Sequence, residues 1–492
     1  MRGFICIFTV ACIAATAAGC GNLLKRKNIM DEARGFLMSG EFSRLIELAG
    51  DENSGIDPDG PLRRSLDSLA DRARRFMIDF PLTSEDVLER LRADSVDAGE
   101  DDLRRWEDAG ELEYMLIDGE RRYFRWAHRN LYRINDTLRQ EMQIDRERDS
   151  SLAAVCMEQI GHILEKTAIA GPGASINPRT MVIRYTITVD ADAVPPGETI
   201  RCWMPWPRED IPRQDMVRLL SSSPEEYILS PPDTPQRSIY FEQVAVSGKP
   251  AVFSMEAEFR SWSQYFPPAL FPGPVPGGGP AGAVQAGNVL PSYVTAYTGE
   301  RLPHIRFSSE IMELAGSLVA EGMTPYEKVR AFYRWINDNI IWTSAIEYGL
   351  MSDIPAYVLE NRRGDCGMQT LLFISLCRYA GIPARWQSGW MMHPGHVNLH
   401  DWAEVWLEPA GWVPVDVSFK LQPSPDPVVS GFYITGTDSY RMTVSNDYGR
   451  QFYPPKGHVR SEPIDFQRGE LEWRGGNLYF DQWRYRMEVK YK

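Results

Sequence analysis

The hydrophobic periodicity of this chain changes register partway along, and that change limits the folds open to it. From residue 30 to about 165, apolar side chains recur at helical spacing. Between 61 and 79, Leu62, Leu66, Leu69, Ala70, Ala73, Phe76 and Met77 fall on one stripe. Ser84 before Glu85-Asp86 marks the N-cap of a further helix. Around 114–123, Tyr114-Met115-Leu116-Ile117, Asp118-Gly119 and Tyr123 read as a hairpin closed by an Asp-Gly turn. From 181 the period becomes two. Met181, Ile183, Tyr185, Ile187 and Val189 alternate with polar residues, as do Phe253, Met255, Ala257 and Phe259. Such strands need a second sheet to cover their apolar face.

Punctuation divides the chain further. Gly171-Pro172-Gly173 separates the helical part from the strands, and residues 267–291 hold seven Pro and six Gly. A stretch of that composition sustains neither helix nor central strand, so it is a linker or a loop laid over a surface. Beyond it, Thr324-Pro325-Tyr326-Glu327 combines a capping box with proline at the first helical position. Near the C-terminus, 470–473 and 477–480 flank Arg474-Gly475-Gly476 as a hairpin, and Trp483 to Tyr491 alternate as a last strand. The expected fold is multidomain α+β. It comprises a mainly helical domain with a hairpin at 30–169, a β-sandwich-like domain at 180–265, the Pro/Gly-rich linker at 266–299, an α+β core at 300–422 and a C-terminal β extension at 423–492. The terminal strands would extend the core sheet or cover it.

Charge and cysteine content narrow the function classes. With 53 Lys+Arg against 67 Asp+Glu the net charge is −14, which argues against nucleic-acid binding, since that depends on neutralising phosphates. The helical domain with its hairpin is expected to serve packing or a partner. Seven cysteines, at 6, 12, 20, 156, 202, 366 and 377, are too few for a disulfide scaffold. Cys366 and Cys377 lie eleven residues apart on one expected helix, roughly 16 Å, too far to bridge. A Cys156–Cys202 pair is open.

The first twenty residues, MRGFICIFTVACIAATAAGC, read as an export signal: Arg2, then an apolar run from Phe4 to Ala18 that is short for a membrane span. Ala17-Ala18-Gly19-Cys20 resembles the lipobox of bacterial lipoproteins. The resemblance implies lipidation of Cys20 and a lipid-anchored protein of the bacterial cell envelope, with residues 21–28 as a tether.

The chemistry concentrates between 364 and 416. In Gly364-Asp365-Cys366-Gly367-Met368-Gln369, a turn opens a helix that runs to Gly381, with Cys366 in its first turn. The positive end of the macrodipole favours a thiolate there. His400-Asp401-Trp402-Ala403-Glu404-Val405-Trp406 and Gly411-Trp412-Val413-Pro414-Val415-Asp416 are expected to be two adjacent strands. They could carry His400 and Asp416 side by side to face the helix terminus. A thiol nucleophile needs an imidazole to take its proton, and the imidazole needs a carboxylate to fix its tautomer.

These segments, GDCGMQ, LCRYAGIPAR, HDWAEVW and GWVPVD in that order, resemble the core of the transglutaminase-like cysteine enzymes. Cys366 precedes His400 by 34 residues, and His400 precedes Asp416 by 16. The resemblance implies a papain-like α+β core with Cys366 as nucleophile, His400 as general base and acid, and Asp416 as the orienting carboxylate. It also implies an amide substrate from a protein or peptide, a thioester intermediate, and either transfer to an amine or hydrolysis. Trp342 best matches an upstream aromatic donor to the oxyanion, beside the Cys366 N–H. Arg385, Trp402, Glu404 and Trp412 shape or support the site.

His393, His396 and His400 at x2 and x3 spacing could bind zinc if the loop folded back, but no acidic or cysteine partner is adjacent and His400 belongs to the triad. A site-edge loop is the expected role, with no metal and no cofactor. The alternatives to an enzyme are a binding or assembly module on the same fold and a metal-binding surface protein built on the histidine loop.

Overall fold

The computed structural model describes residues 27–51, 56–57, 60–144, 146–272 and 290–492. The export run, Cys20 and most of the Pro/Gly-rich stretch lie outside these residues. Among the described residues no helix is long and apolar enough to cross a membrane. The chain divides into two compact units, residues 1–135 and 136–492.

The first unit is a small helical assembly. Helices Phe42–Gly50, Pro61–Asp79, Ser84–Ala93, Glu100–Asp108 and Ala127–Ile134 surround the hairpin Tyr114–Ile117/Glu120–Tyr123. The stripe on Pro61–Asp79 buries Leu66, Ala70 and Ala73, while Phe76 stacks on Phe42 and Met77 is 38% exposed. The cap of Ser84–Ala93 is Thr83, one residue earlier than the sequence suggests. Thr83 and Asp86 make a reciprocal capping box, which satisfies two helix donors and outcompetes a lone serine at 84. The hairpin turns on Asp118 and Gly119, both at positive φ, as a two-residue turn of this kind requires.

The second unit holds three antiparallel sheets and the remaining helices. One sheet, ordered Gly411–Val415, His396–Leu407, Ala384–His393, Arg441–Ser445, carries the motif residues. The other two face each other as a sandwich. One contains Ile176–Val189, Gln214–Ser223, Ala251–Tyr265 and Trp483–Tyr491, and the other Thr199–Pro205, Ser238–Val244 and Glu470–Trp473. Their inward residues, including Ile183, Tyr185, Phe241, Phe253, Phe259 and Leu471, form one core.

The C-terminal strands meet the expectation in part and also do something it did not include. They extend the motif sheet only through Arg441–Ser445, and Leu471, Leu478 and Trp483 share a core with Trp390, Met392, Met442 and Val444 of that sheet. Trp483–Tyr491 pairs along Ile176–Val189, and Glu470–Trp473 pairs with Thr199–Pro205, so residues nearly 300 apart in sequence complete the sandwich. Only Arg441–Ser445 joins the motif sheet, beside Ala384–His393. The long helix Arg146–Ala170 likewise falls within the second unit. Its buried Cys156, Ile160 and Ile163 share a core with the helix Cys366–Tyr379.

That helix is the buried axis of the unit. Residues Gly367 to Arg378 are all buried, and its Leu371, Leu372 and Ile374 pack with Ala403, Val405, Leu407, Val413 and Val415 of the motif sheet. It ends as the sequence indicates, at Tyr379, with Gly381 at φ +81° just beyond.

The opposite side of the motif sheet is polar and equally buried. Glu404 accepts from Arg213 Nη1 at 2.7 Å and Arg385 Nε at 2.7 Å, while Gln387 Nε2 bonds it at 2.9 Å. Arg213 comes from the sandwich, so this cluster ties sandwich to motif sheet. Burial alone would raise the Glu404 carboxyl, but Arg385 and Arg213 overcome it and bring it from 4.5 to about 2. A carboxylate lowered on folding stabilises fully above its unfolded value and loses that contribution as pH falls. Glu404→Gln should therefore cost about 3–5 kcal/mol at neutral pH by stranding two buried guanidinium groups, and should flatten the loss of stability between about pH 4.5 and 2. Denaturant unfolding followed by circular dichroism across that range measures both. An unchanged acid profile would show that the cluster does not carry this charge.

Candidate active site

Cys366 opens its helix in a tightly specified turn. Asp365 is the N-cap, accepting from Met368 N at 3.1 Å, and Tyr348 Oη donates to the same carboxylate oxygen. Gly367 must be glycine, because a Cβ there would overlap Tyr348 Oη and lie 2.8 Å from Asp401 Oδ2. The four described cysteines, Cys156, Cys202, Cys366 and Cys377, are all free thiols, which closes the question of a Cys156–Cys202 disulfide. Of these four, Cys366 alone is partly exposed; the others are buried.

The motif strand delivers the imidazole. His400 Nε2 lies 2.7 Å from Asp416 Oδ2, the paired arrangement expected from two adjacent strands. Asp416 also caps the short turn Val417–Phe419, its Oδ1 accepting from Phe419 N at 3.3 Å and Ser418 Oγ at 3.1 Å. The ring is held between Trp402, stacked at 5.8 Å, and the edge of Phe419 at 5.0 Å. With Nε2 engaged by Asp416, Nδ1 is the nitrogen left for chemistry.

The structure does not join thiol and imidazole. Cys366 Sγ donates instead to Asp401 Oδ2 at 3.4 Å, and among the described residues no hydrogen bond links Sγ to His400. The pleat explains this. Successive side chains of a strand point to opposite faces, so His400, Trp402 and Glu404 share one face, and Asp401 shares the other with Ala403 and Val405, where the helix packs. Gln467 secures the arrangement, its Nε2 donating to His400 O at 2.7 Å and Asp401 Oδ1 at 2.6 Å.

The electrostatics also depart from the expected thiolate–imidazolium pair. Burial, then the Asp401 and Asp365 carboxylates, push the Cys366 thiol well above its usual range, although the Asp401 main-chain N–H pulls the other way. Burial lowers His400, and Asp416 only partly offsets this while Arg441 adds to it. Desolvation and neighbouring carboxylates thus outweigh the helix macrodipole, whose effect is typically 0.3–1 kcal/mol. Both shifts favour a thiol and a neutral imidazole over the ion pair.

Two functional neighbours escaped the sequence. Asp401 stands next to His400 in the motif, and strand alternation was the signal that would have set it against the helix. Arg441 lies on a strand with no motif of its own. Its guanidinium bonds Asp416 and packs 4.5 Å over Phe419, with Asp438 3.5 Å away. With His400 it overcomes the effect of burial and holds Asp416 at about 2. Trp342 sits where the segment 341–343 runs beside 362–364, Ile341 N donating to Arg362 O at 3.0 Å and Gly364 N to Ile341 O at 3.0 Å, just ahead of Cys366. Arg385 stacks 4.2 Å over Trp412 and binds Glu404, a supporting arrangement.

The three spaced histidines separate. His393 is fully buried, its Nε2 3.1 Å from Asp438 Oδ1, and Asp438 overcomes burial to raise it to about 9. His396 lies 3.0 Å from Ser151 Oγ, and His400 belongs to the dyad with Asp416. Among the described residues no group of three metal-ligating side chains converges.

Residues 312–417 match the sequence model of the transglutaminase-like superfamily. The segment holding Cys366, His400 and Asp416 is thus a transglutaminase-like domain within a mixed α+β chain. Among solved structures, a protein from Cytophaga hutchinsonii named as a candidate cysteine protease aligns with 17% identity and TM-score 0.43, covering 65% of this chain and 92% of that one. The periplasmic domain of TgpA from Pseudomonas aeruginosa aligns with 17% identity and TM-score 0.26, covering 51% and 91%. A comparison with curated proteins gave no match.

Arg441 tests the electrostatic account. Arg441→Met should raise the titration midpoint of His400 by about one unit, since a nearby cation disfavours the imidazolium, while Arg441→Lys should leave it nearly in place. Histidine-selective NMR of the seven imidazoles reads this directly. A midpoint that stays or falls in Arg441→Met would contradict it.

Proposed function

We propose that this chain is a transglutaminase-like cysteine enzyme acting on amide bonds of a protein or peptide through a thioester. The observation that carries this reading is Cys366, a partly exposed residue in the first turn of a buried helix, whose Sγ bonds Asp401, the residue next to the His400 of a His400–Asp416 dyad. In the reaction, Sγ gives its proton to His400 Nδ1 and attacks the substrate carbonyl. Cys366 N–H, with the indole N–H of Trp342, receives the developing oxyanion. The C–N bond breaks as His400 returns the proton to the leaving amine, and a thioester remains on Cys366. Water or a second amine then attacks, loses its proton to His400, and releases the acid or the new amide as the thiol re-forms. Asp416 keeps Nε2 protonated and stabilises the imidazolium that forms transiently.

A bacterial cell-envelope location, anchored by lipid on Cys20, completes the proposal. Its support is the export run and the Ala17-Ala18-Gly19-Cys20 sequence alone. A second reading, a binding or assembly module on the same fold, is favoured by one observation: the thiol hydrogen-bonds to Asp401 and not to the imidazole.

Incubating the purified chain with a glutamine-containing peptide and a tagged amine, with mass spectrometry of the products, distinguishes these readings. Amine incorporation means transfer; deamidated or cleaved peptide means hydrolysis. Cys366→Ala should abolish either product, and His400→Ala should slow its formation by about 10²–10⁴-fold. Product formed equally by wild type and Cys366→Ala would refute the enzyme reading.

A further inference from the structure

Asp401 is the one side chain that touches the nucleophilic sulfur through a hydrogen bond among the described residues, and it is held there from both ends. Its Oδ2 accepts Sγ–H at 3.4 Å, and its Oδ1 accepts Gln467 Nε2 at 2.6 Å. Because Gln467 Nε2 also bonds His400 O, the Asp401 carboxylate is fixed relative to the strand that bears the imidazole. Only 2% of Asp401 is exposed, so water does little to screen it.

We propose that Asp401 is a positioning residue that latches Cys366, holding Sγ protonated and turned from His400 until substrate parts the sulfur from the carboxylate. This rests on Cys366 being the nucleophile of the proposed function. The Asp401 oxygen accepts from the thiol, a bond the thiolate would lose, and any charge on the carboxylate repels the thiolate, so the contact favours the form that cannot attack. The surroundings reinforce that choice. Asp365 caps the same turn, Tyr348 contributes a phenol, and Glu462 and Asp465 from the following segment face the same cluster, with Arg468 as its guanidinium. Arg468 is already committed to Glu347 and Glu462. Burial, Asp465 and Asp365 raise Asp401 itself, while the hydrogen bond it accepts from Cys366 pulls it back toward the carboxylate. On the imidazole's face the carboxylates Asp416 and Asp438 are paired with Arg441 and His393. Release of Sγ from Asp401 therefore removes it from surroundings that disfavour the thiolate and leaves His400 Nδ1 as the group to take its proton.

Alkylation of the full chain by iodoacetamide reads the thiol without any substrate. Modification of Cys366 is followed by peptide mass spectrometry between pH 5 and 10. In the wild type the midpoint should lie above about 8.5, the value of a free cysteine. In Asp401→Asn, whose amide can donate to sulfur, and in Asp401→Ser, it should fall by at least one pH unit. At pH 7 a one-unit fall gives ten-fold more thiolate, offset by lower nucleophilicity, so labelling should accelerate roughly three-fold. A wild-type midpoint at or below about 8.5 overturns the latch, and so does an unchanged or higher midpoint in either variant that retains the wild-type melting transition. Neither result bears on peptide turnover, so the latch can fail while the enzyme reading stands.

Discussion

The pleat of one strand, His396–Leu407, organises this site. Because adjacent side chains leave a strand on opposite faces, His400 and Asp401 open into different surroundings although their backbones touch. The His400 face pairs each carboxylate with cations: Arg441 with Asp416, and Arg213 and Arg385 with Glu404. The Asp401 face gathers carboxyls around the start of the helix, with Asp365 and Asp401 flanking the sulfur. Sheet geometry thus gives the thiol and the imidazole different charged neighbours.

That difference gives the resting chemistry its character. A helix N-terminus is expected to favour a thiolate, and the turn here supplies its N–H groups in the usual way. Their contribution is small beside the cost of placing a thiolate among buried carboxylates. On the opposite face Arg441 claims part of the Asp416 charge that would otherwise support an imidazolium. Both shifts disfavour the ion pair. Under the proposed function, activation is a displacement of sulfur from one hydrogen-bond partner to another, driven by a bound substrate.

Much of this was legible in the residues. The helix at 366–379 was marked by Gly364-Asp365 before it and Gly381 after it. The pairing of His400 with Asp416 followed from two strands joined by a short turn. Period-two alternation at 181–189 and 253–259 marked the middle of the strands Ile176–Val189 and Ala251–Tyr265. What was not legible depends on contacts distant in sequence. Trp483–Tyr491 alternates like any edge strand, and nothing local says that its partner lies near residue 185. Arg441 belongs to a strand without motif residues, so its bond to Asp416 arises only once the sheet forms. Asp401 was in plain view, and counting faces along the motif strand would have set it apart from His400. Its contact with Sγ needed the position of the helix as well.

The central claim is that Cys366 and His400 meet during catalysis, although the resting thiol is bound to Asp401. A crystal structure of the thiohemiacetal formed between Cys366 and a peptide aldehyde tests it most directly. The account predicts Sγ withdrawn from Asp401 Oδ2, and His400 Nδ1 within hydrogen-bond reach of the sulfur or its adduct oxygen while Nε2 still bonds Asp416. An adduct whose sulfur remains against Asp401, with the imidazole still turned to the other face of the strand, would contradict it.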